Sequence, residues 1–364
     1  MRITRLDISG LRRFDAVSLA PGPSLNLLTG DNGAGKTSVL EAMHLMAYGR
    51  SFRGRVRDGL IRQDVPALEI FVEWEEAGGR IRKAGLRHTG AVWQGRLDGA
   101  DVTQLGELCA ALAVVTFEPG SHDLVTGGAE NRRRLLDWGL FHVEPDFLRV
   151  WRRYARALKQ RNALLKAGGR TAELDGWEHE LAESGEAITR SRETYLAQWQ
   201  PRLTAEAGTL APALGIEQLT LQPGWRRDEL NLSDALLLAR QRDLATGFTS
   251  VGPHRADWRI GFTGIPGRDA LSRGQAKLTA LALLLSQARL HAGLAGEWPV
   301  IALDDLASEL DRAHRARVVD DLVATGAQVF VTGTDAPEAL LAHTGSLVHI
   351  HVEEGRLRPE GQAR

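Results

Sequence analysis

Ser24-Leu25-Asn26-Leu27-Leu28-Thr29-Gly30-Asp31-Asn32-Gly33-Ala34-Gly35-Lys36-Thr37 decides the fold of this chain. Residues 24 to 29 read as a short buried strand, and Thr37 to Tyr48, with apolar Val39, Leu40, Met43 and Met46, reads as a helix. Between them, Gly30 to Thr37 has the G-x-x-x-x-G-K-T spacing of a phosphate-binding loop. Strand, glycine loop and helix come in the order the chemistry needs, because successive backbone N–H groups and the helix N-terminus then point at the phosphates. The glycines let the main chain approach closely. Lys36 is expected to reach the β- and γ-phosphates of a nucleotide, and the Thr37 hydroxyl to bind Mg2+.

Far along the chain, Pro299-Val300-Ile301-Ala302-Leu303 reads as a second buried strand, and it ends in Asp304-Asp305. Asp304 is placed to hold Mg2+ through water, opposite Thr37. Asp305 points the other way, where it would orient or deprotonate an attacking water. Two acids at a strand end can also merely face solvent; the intact phosphate loop favours the metal reading. Ser308-Glu309-Leu310-Asp311 follows, with Ser308 or Asp311 as a helix cap. Leu271-Ser272-Arg273-Gly274-Gln275 precedes an apolar helix from about Lys277 to Leu290. Its Ser hydroxyl, Gly N–H and helix N-terminus make either an anion site or an ordinary cap. The first phosphate loop already supplies one anion site per chain, so the second is expected to serve a partner's γ-phosphate.

The chain has 364 residues, enough for one large domain with an insertion or for two domains. Its formal net charge of -1 gives no global attraction to nucleic acid or an anionic membrane, so such binding must come from local patches. Cys109 is the one cysteine, which excludes disulfides within the chain and a cysteine-rich metal site. Met1-Arg2-Ile3-Thr4-Arg5-Leu6-Asp7 lacks the apolar core of a signal peptide, and the apolar run Ala280 to Leu285 is too short to span a bilayer. The expectation is a soluble, cytoplasmic protein without a membrane partner.

Residues 66 to 125 look β-rich, with Ala67 to Trp74 alternating in period two. From about Asn131 the pattern turns helical. Trp151, Ala155, Leu158, Asn162 and Leu165 fall on one stripe, and after Gly168-Gly169 a second helix is expected from about Trp177 to Gln200. The pair would form a short antiparallel arm. Arg312 to Thr325 reads as a helix and Gln328 to Thr332 as a strand, so the two ends of the chain are expected to complete one parallel sheet. The expected division is an ATPase lobe from residues 1–130 completed by 298–364, with 131–297 as an inserted helical lobe carrying the arm and the Ser272 motif.

These motifs together resemble the ABC-type ATPase heads of the SMC and Rad50 class, an α/β phosphate-loop fold. Ser272 lies 236 residues beyond Lys36. That is longer than in the nucleotide-binding subunits of transporters, and it leaves no room for the long coiled coils of SMC proteins. On Gly252-Pro253-His254-Arg255, Tyr154-Ala155-Arg156-Ala157-Leu158-Lys159-Gln160-Arg161-Asn162 and Leu303 to Asp311, the chain resembles the RecF family over essentially its full length. The resemblance implies a protein that dimerises on binding ATP, binds DNA at single-strand gaps or junctions while dimeric, and hydrolyses ATP slowly to let go. It implies partners RecR and RecO in loading RecA. Carried over, Gly30, Asp31, Asn32, Gly33, Ala34, Gly35, Lys36 and Thr37 bind nucleotide, and Thr37 and Asp304 hold the metal. Lys36 and Asp305 carry catalysis, and Ser272, Arg273, Gly274 and Gln275 reach the partner's nucleotide. Arg12 matches a phosphate-proximal arginine.

Some positions depart from the wider pattern. Asp305 stands where many relatives have Glu, and Val331-Thr332-Gly333-Thr334-Asp335 has no switch His, leaving Thr334 or Asp335 as substitutes. Arg13 stands where the family often carries Asn, and Gln63 and Gln104 both remain open as the γ-phosphate-sensing Gln.

Two basic patches are candidates for DNA. Arg50, Arg53, Arg55 and Arg57 lie within eight residues, read as phosphate contacts or as a solvated arginine-rich surface. From Arg149 to Arg170 there is no acid, and Arg149, Arg152, Arg153 and Arg156 face away from the Trp151 stripe, toward DNA or an acidic partner. Trp151 and Tyr154 are expected in the core rather than stacked on bases. His254-Arg255 reads either as a turn with a surface His or, on the resemblance, as a link between nucleotide and helical lobe.

The alternatives from other classes are the nucleotide-binding subunit of an ABC transporter and a phosphate-loop phosphotransferase. The spacing argues against the first, and the second would leave the Ser272 motif idle.

Overall fold

The computed structural model describes residues 1–54, 59–168 and 171–360. Two compact units emerge, one of Met1–Ser121 with Leu283–Arg364 and one of His122–Ala282. In the first, β1 (Arg2–Ser9), β2 (Ala16–Leu19), β3 (Leu25–Thr29) and α1 (Lys36–Tyr48) are followed by β4 (Leu68–Glu75), β5 (Ile81–His88), β6 (Trp93–Leu97) and β7 (Ala100–Val102). Helix α2 (Leu105–Ala111) and β8 (Val114–Phe117) lead out of it. The second unit holds α3 (Asp123–Thr126), α4 (Ala129–Val143), α5 (Phe147–Lys166), α6 (Thr171–Leu210), β9 (Ile216–Gln222), α7 (Leu232–Thr246) and β10 (Asp257–Phe262). Helix α8 (Arg273–Ala295) begins in the second unit and ends in the first. The chain closes with β11 (Val300–Leu303), α9 (Leu306–Glu309), α10 (Arg312–Thr325), β12 (Val329–Thr332), α11 (Glu338–Leu341), β13 (Leu347–Glu353) and β14 (Arg356–Glu360).

The first unit contains two sheets that differ as their sequences do. β3, β8, β11 and β12 are buried at every position and pair in parallel, in the order β14-β13-β3-β12-β11-β8, with β14 alone antiparallel. A strand covered on both faces reads as a continuous apolar run. The second sheet, β2-β1-β4-β5-β6-β7, is antiparallel and half solvated. In β4, Leu68, Ile70, Val72 and Trp74 turn inward while Glu69 and Glu75 face water. Helix α1 is buried on nearly all sides, and its Val39, Leu40, Met43 and Met46 join Ile70 and Val72 of one sheet and Val300, Phe330 and Ile350 of the other in a single core. A helix buried all round packs apolar side chains against more than one neighbouring layer.

Strand order places the site. The sheet brings β3 from one end of the chain beside β12 and β11 from the other, with Leu28 opposite Thr332 and Val331 opposite Leu303. All three run the same way, so the loop after Thr29, the Asp304 pair and Thr332 emerge on one edge, within about 10 Å laterally.

In the second unit α5 and α6 pack as a helical hairpin, and β9 pairs antiparallel with β10. Helix α6 runs 40 residues, past Pro201, beyond the Trp177–Gln200 expected. Trp199, Leu203, Ala207 and Leu210 continue its buried stripe through the proline, and that packing outweighs the lost N–H. The buried stripe of α5 is Phe147, Tyr154, Ala157, Arg161 and Leu165. This corrects the expected stripe: Trp151 is 37% exposed, against Phe141, and a charged residue takes the core position. Tyr154 is in the core as expected. Among the described residues α8 alone is long and apolar enough to cross a membrane, and 67% of its apolar window is buried.

Candidate functional site

Three glycines give the phosphate loop its shape. Gly30, Gly33 and Gly35 have φ of 142, 81 and 124°, values that side-chain-bearing residues rarely adopt. A Cβ on Gly30 would stand 2.1 Å from Val352 O, and one on Gly35 3.1 Å from the Phe14 ring. The N–H of Gly355, in the β13–β14 turn, donates to Ala34 O at 3.1 Å. The back of the loop is thus braced by β13 and by Phe14.

Lys36 lies across this loop, donating from Nζ to Gly30 O at 2.6 Å and Asp31 O at 2.9 Å. Burial lowers its pKa, opposed by the charges of Asp305, Asp304 and Asp31. The Thr37 hydroxyl donates to Asp304 Oδ1 at 2.9 Å, and the Thr332 hydroxyl donates to the same oxygen at 2.7 Å. Burial raises the Asp304 pKa, against the lowering effect of those two hydroxyls. Asp305 is left-handed, with φ 50 and ψ 43; its N–H donates to Thr332 Oγ1 at 2.8 Å and its carboxylate accepts from the Ser308 hydroxyl. A hydroxyl beside a buried carboxylate is an all-oxygen donor set suited to Mg2+. The loop N–H groups and the N-terminus of α1 suit phosphate. The residues present therefore fit both groups.

Arg12 is also left-handed, with φ 55, and its guanidinium forms a two-pronged pair with Glu41 of α1 at 3.0 and 2.8 Å. Glu41 is fully buried and also accepts from the Ser51 hydroxyl. Arg12 thus braces the helix that follows the loop. Its neighbour Arg13 is exposed, with a guanidinium nitrogen 3.7 Å from where a Gly33 Cβ would stand.

Ser272 and Gln275 lie in the second unit and cap α8 reciprocally. Ser272 Oγ accepts from Gln275 N at 3.2 Å, and Gln275 Oε1 accepts from Ser272 N at 2.8 Å. Arg273 and Gly274 are exposed, and a Cβ on Gly274 would meet nothing within 4 Å.

The candidate DNA arginines divide. Arg53 lies 3.8 Å from Glu41, and Arg50 is half-buried; burial of His44 lowers the imidazole pKa, and the charge of Arg50 adds to that effect. Arg55 and Arg57 lie outside the described residues. Arg149 pairs with Asp146 at 3.1 Å, Arg153 with Glu180 at 2.7 Å and Glu183 at 2.9 Å, and Arg156 lies 5.9 Å over Trp177. The acids missing between Arg149 and Arg170 are supplied by Asp146 and by α6. Gln63 is exposed, Gln104 is the residue before α2, and Thr334 donates to Asp335 at 3.2 Å.

His254 is half-buried, with both ring nitrogens engaged, rather than a free surface residue. Its Nε2 faces Thr249 O at 3.0 Å and its Nδ1 faces the Tyr154 hydroxyl at 2.6 Å. A carbonyl can only accept, so Nε2 carries the proton and Nδ1 accepts from Tyr154. Burial lowers the imidazole pKa to about 4.

Two residues of the site carry no motif. Thr332 and Arg13 are recognised by position alone, one at the end of the strand between β3 and β11, the other beside the loop glycines.

Comparison with known proteins identifies the family and the fold. The family described as RecF/RecN/SMC N terminal domain matches residues 2–356. The DNA replication and repair protein RecF of Stenotrophomonas maltophilia (strain R551-3) is 67% identical over 361 residues, 98% of this chain and 99% of that protein. RecF of Shewanella baltica (strain OS155 / ATCC BAA-1091) is 36% identical over 359 residues, 98% of this chain and 99% of that one. The fold superposes on the solved structure of the recombination mediator protein RecF-ATP in the RecFOR pathway with a TM-score of 0.87 and 25% identity, covering 99% of this chain and 98% of that one. An Smc head bound to the C-winged helix domain of ScpA gives a TM-score of 0.59 at 14% identity, covering 99% and 97%. The chain belongs to the RecF family of DNA replication and repair proteins.

Proposed function

We propose that this chain is an ATP-dependent DNA-binding protein of recombinational repair, a Mg2+-requiring ATPase that dimerises on ATP, binds DNA at gaps or junctions and releases it on slow hydrolysis. The observation that carries the reading is the Thr37–Asp304 hydrogen bond of 2.9 Å beside Lys36, a phosphate loop and metal carboxylate joined by strand order across 267 residues of chain. The solved RecF-ATP structure, as a relative of the same fold, supports ATP as the ligand.

Lys36 would exchange the carbonyls of Gly30 and Asp31 for the β- and γ-phosphates. Thr37 and Asp304 would hold Mg2+, which when bound neutralises charge on the leaving phosphate oxygens. Asp305 would turn from Ser308 to orient the water that attacks the γ-phosphorus, displacing ADP. Ser272 and the exposed Gly274 would meet the partner's γ-phosphate, with the Ser272–Gln275 cap holding that helix end in shape. DNA stimulation of hydrolysis belongs to the same reading, as do RecR, RecO and RecA as pathway partners. Arg50, Arg53, Arg55, Arg57, Arg149, Arg153 and Arg156 are the DNA candidates of this reading, Arg53 and Arg153 already standing near carboxylates.

The test is molecular mass by light scattering without nucleotide, with ADP, and with ATP plus Mg2+, each with and without gapped duplex DNA. An ATP-specific doubling of mass, stabilised by DNA and absent in Lys36→Ala, is expected. A monomer under every condition would remove the shared site and favour a phosphotransferase.

A further inference from the structure

Asp304 and Asp305 are held by one group that lies in neither motif. Thr332 ends β12, the strand between β3 and β11. Its hydroxyl donates to Asp304 Oδ1 at 2.7 Å and accepts from Asp305 N at 2.8 Å. The residue is 1% exposed, so water cannot replace either bond. A hydroxyl has one proton, and the Asp305 N–H can only donate, so the proton must go to Asp304. Thr37 donates to the same oxygen. Both side-chain donors therefore converge on Oδ1 and fix the rotation of the carboxylate. The second bond restrains Asp305, whose left-handed backbone is unfavourable for a non-glycine residue.

We propose that Thr332 is a positioning residue of the ATP site, whose hydroxyl sets the Asp304 carboxylate and the left-handed Asp305 backbone before nucleotide and Mg2+ arrive. This rests on the ATPase reading above. Thr332 acts through the two aspartates rather than on the nucleotide. Valine at this position keeps the shape and removes the hydroxyl, leaving the Asp305 N–H without its acceptor. Serine keeps the hydroxyl and removes only a methyl group.

The experiment titrates a fluorescent ATP analogue onto wild type, Thr332→Val and Thr332→Ser, once in EDTA and once across a Mg2+ series. In Thr332→Val the Mg2+ half-saturation is expected to rise about tenfold, or ~1.4 kcal/mol, with affinity in EDTA within about twofold of wild type. Thr332→Ser is expected to restore the wild-type Mg2+ dependence. A Thr332→Val protein with unchanged Mg2+ dependence overturns the proposal. So does a Thr332→Ser protein that behaves like valine, which would assign the effect to the methyl group. Thr332→Ala, read by the same limits, takes the place of valine if that variant does not fold. Wild type that binds no analogue with or without Mg2+ fails the ATP reading itself, an outcome distinct from failure at Thr332 alone.

Discussion

Gly30 has the least conformational freedom in the loop, because a side chain there meets both an unfavourable φ of 142° and the Val352 carbonyl. Backbone cannot yield as a flexible side chain would. Gly30→Ala is expected to destabilise the first unit by roughly 2–4 kcal/mol, combining backbone strain with a steric clash, measured by urea unfolding. An unchanged midpoint would mean that the loop moves away from β13 at little cost. Lys36→Ala differs, since its partners are carbonyls of its own loop. It is expected to keep the fold and lose at least about tenfold in ATP affinity, the contribution of one or more charge-assisted bonds. The glycines and Lys36 were legible in the sequence because loop spacing is local. Thr332 was not, because its partners Asp304 and Asp305 are 28 and 27 residues away in sequence and meet it only across a strand pair.

The elements of the second unit are joined by buried charge. Arg161 is fully buried on α5, paired with Glu178 of α6 at 2.9 Å and Asp243 of α7 at 2.8 Å, and donating to Thr249 at 2.9 Å. Arg161→Met would leave Asp243 buried without its cation, while Glu178 keeps Arg240, and is expected to cost about 3–5 kcal/mol. Chemical denaturation followed by tryptophan fluorescence checks this; a loss under about 1 kcal/mol would show that water reaches the pair. Sequence periodicity put α5 in the wrong phase for the same reason. It counts apolar residues, and here an arginine takes a core position because its counter-charges arrive from two other helices. His254 gives these elements a pH dependence. Its folded pKa of about 4 lies below the ordinary value of 6.5, so between these the unfolded chain binds a proton that the native protein does not. Stability is therefore lost as pH falls from about 6.5 toward 4, with His291, also near 4, adding to the same window. His254→Gln can make both hydrogen bonds without titrating, and is expected to flatten the stability–pH slope by about one proton. Denaturation midpoints at pH 7, 5.5 and 4.5 would show it, and an unchanged slope would place the titration elsewhere.

At the scale of the whole molecule, the Ser272 motif is the part that a single chain does not use for its own nucleotide in the proposed mechanism. Ser272→Arg keeps a residue at the start of α8 but removes its hydroxyl acceptor and adds bulk on an exposed surface. It is expected to leave ATP affinity in the dilute monomer within about twofold of wild type while abolishing the ATP-dependent dimer. Loss of nucleotide affinity in that monomer would count against a site in trans. The sequence by itself determined the phosphate loop, the apolar strand running into Asp304-Asp305 and the capping pattern at Ser272, since each is written in neighbouring residues whose backbone roles are local. Only the tertiary structure decided which groups complete them. Parallel pairing of β3, β12 and β11 brings Thr37, Thr332 and Asp304 together from opposite ends of the chain, and helix packing turns Arg161 inward and seats His254 against Tyr154, because burial and hydrogen-bond partners are properties of the assembled fold.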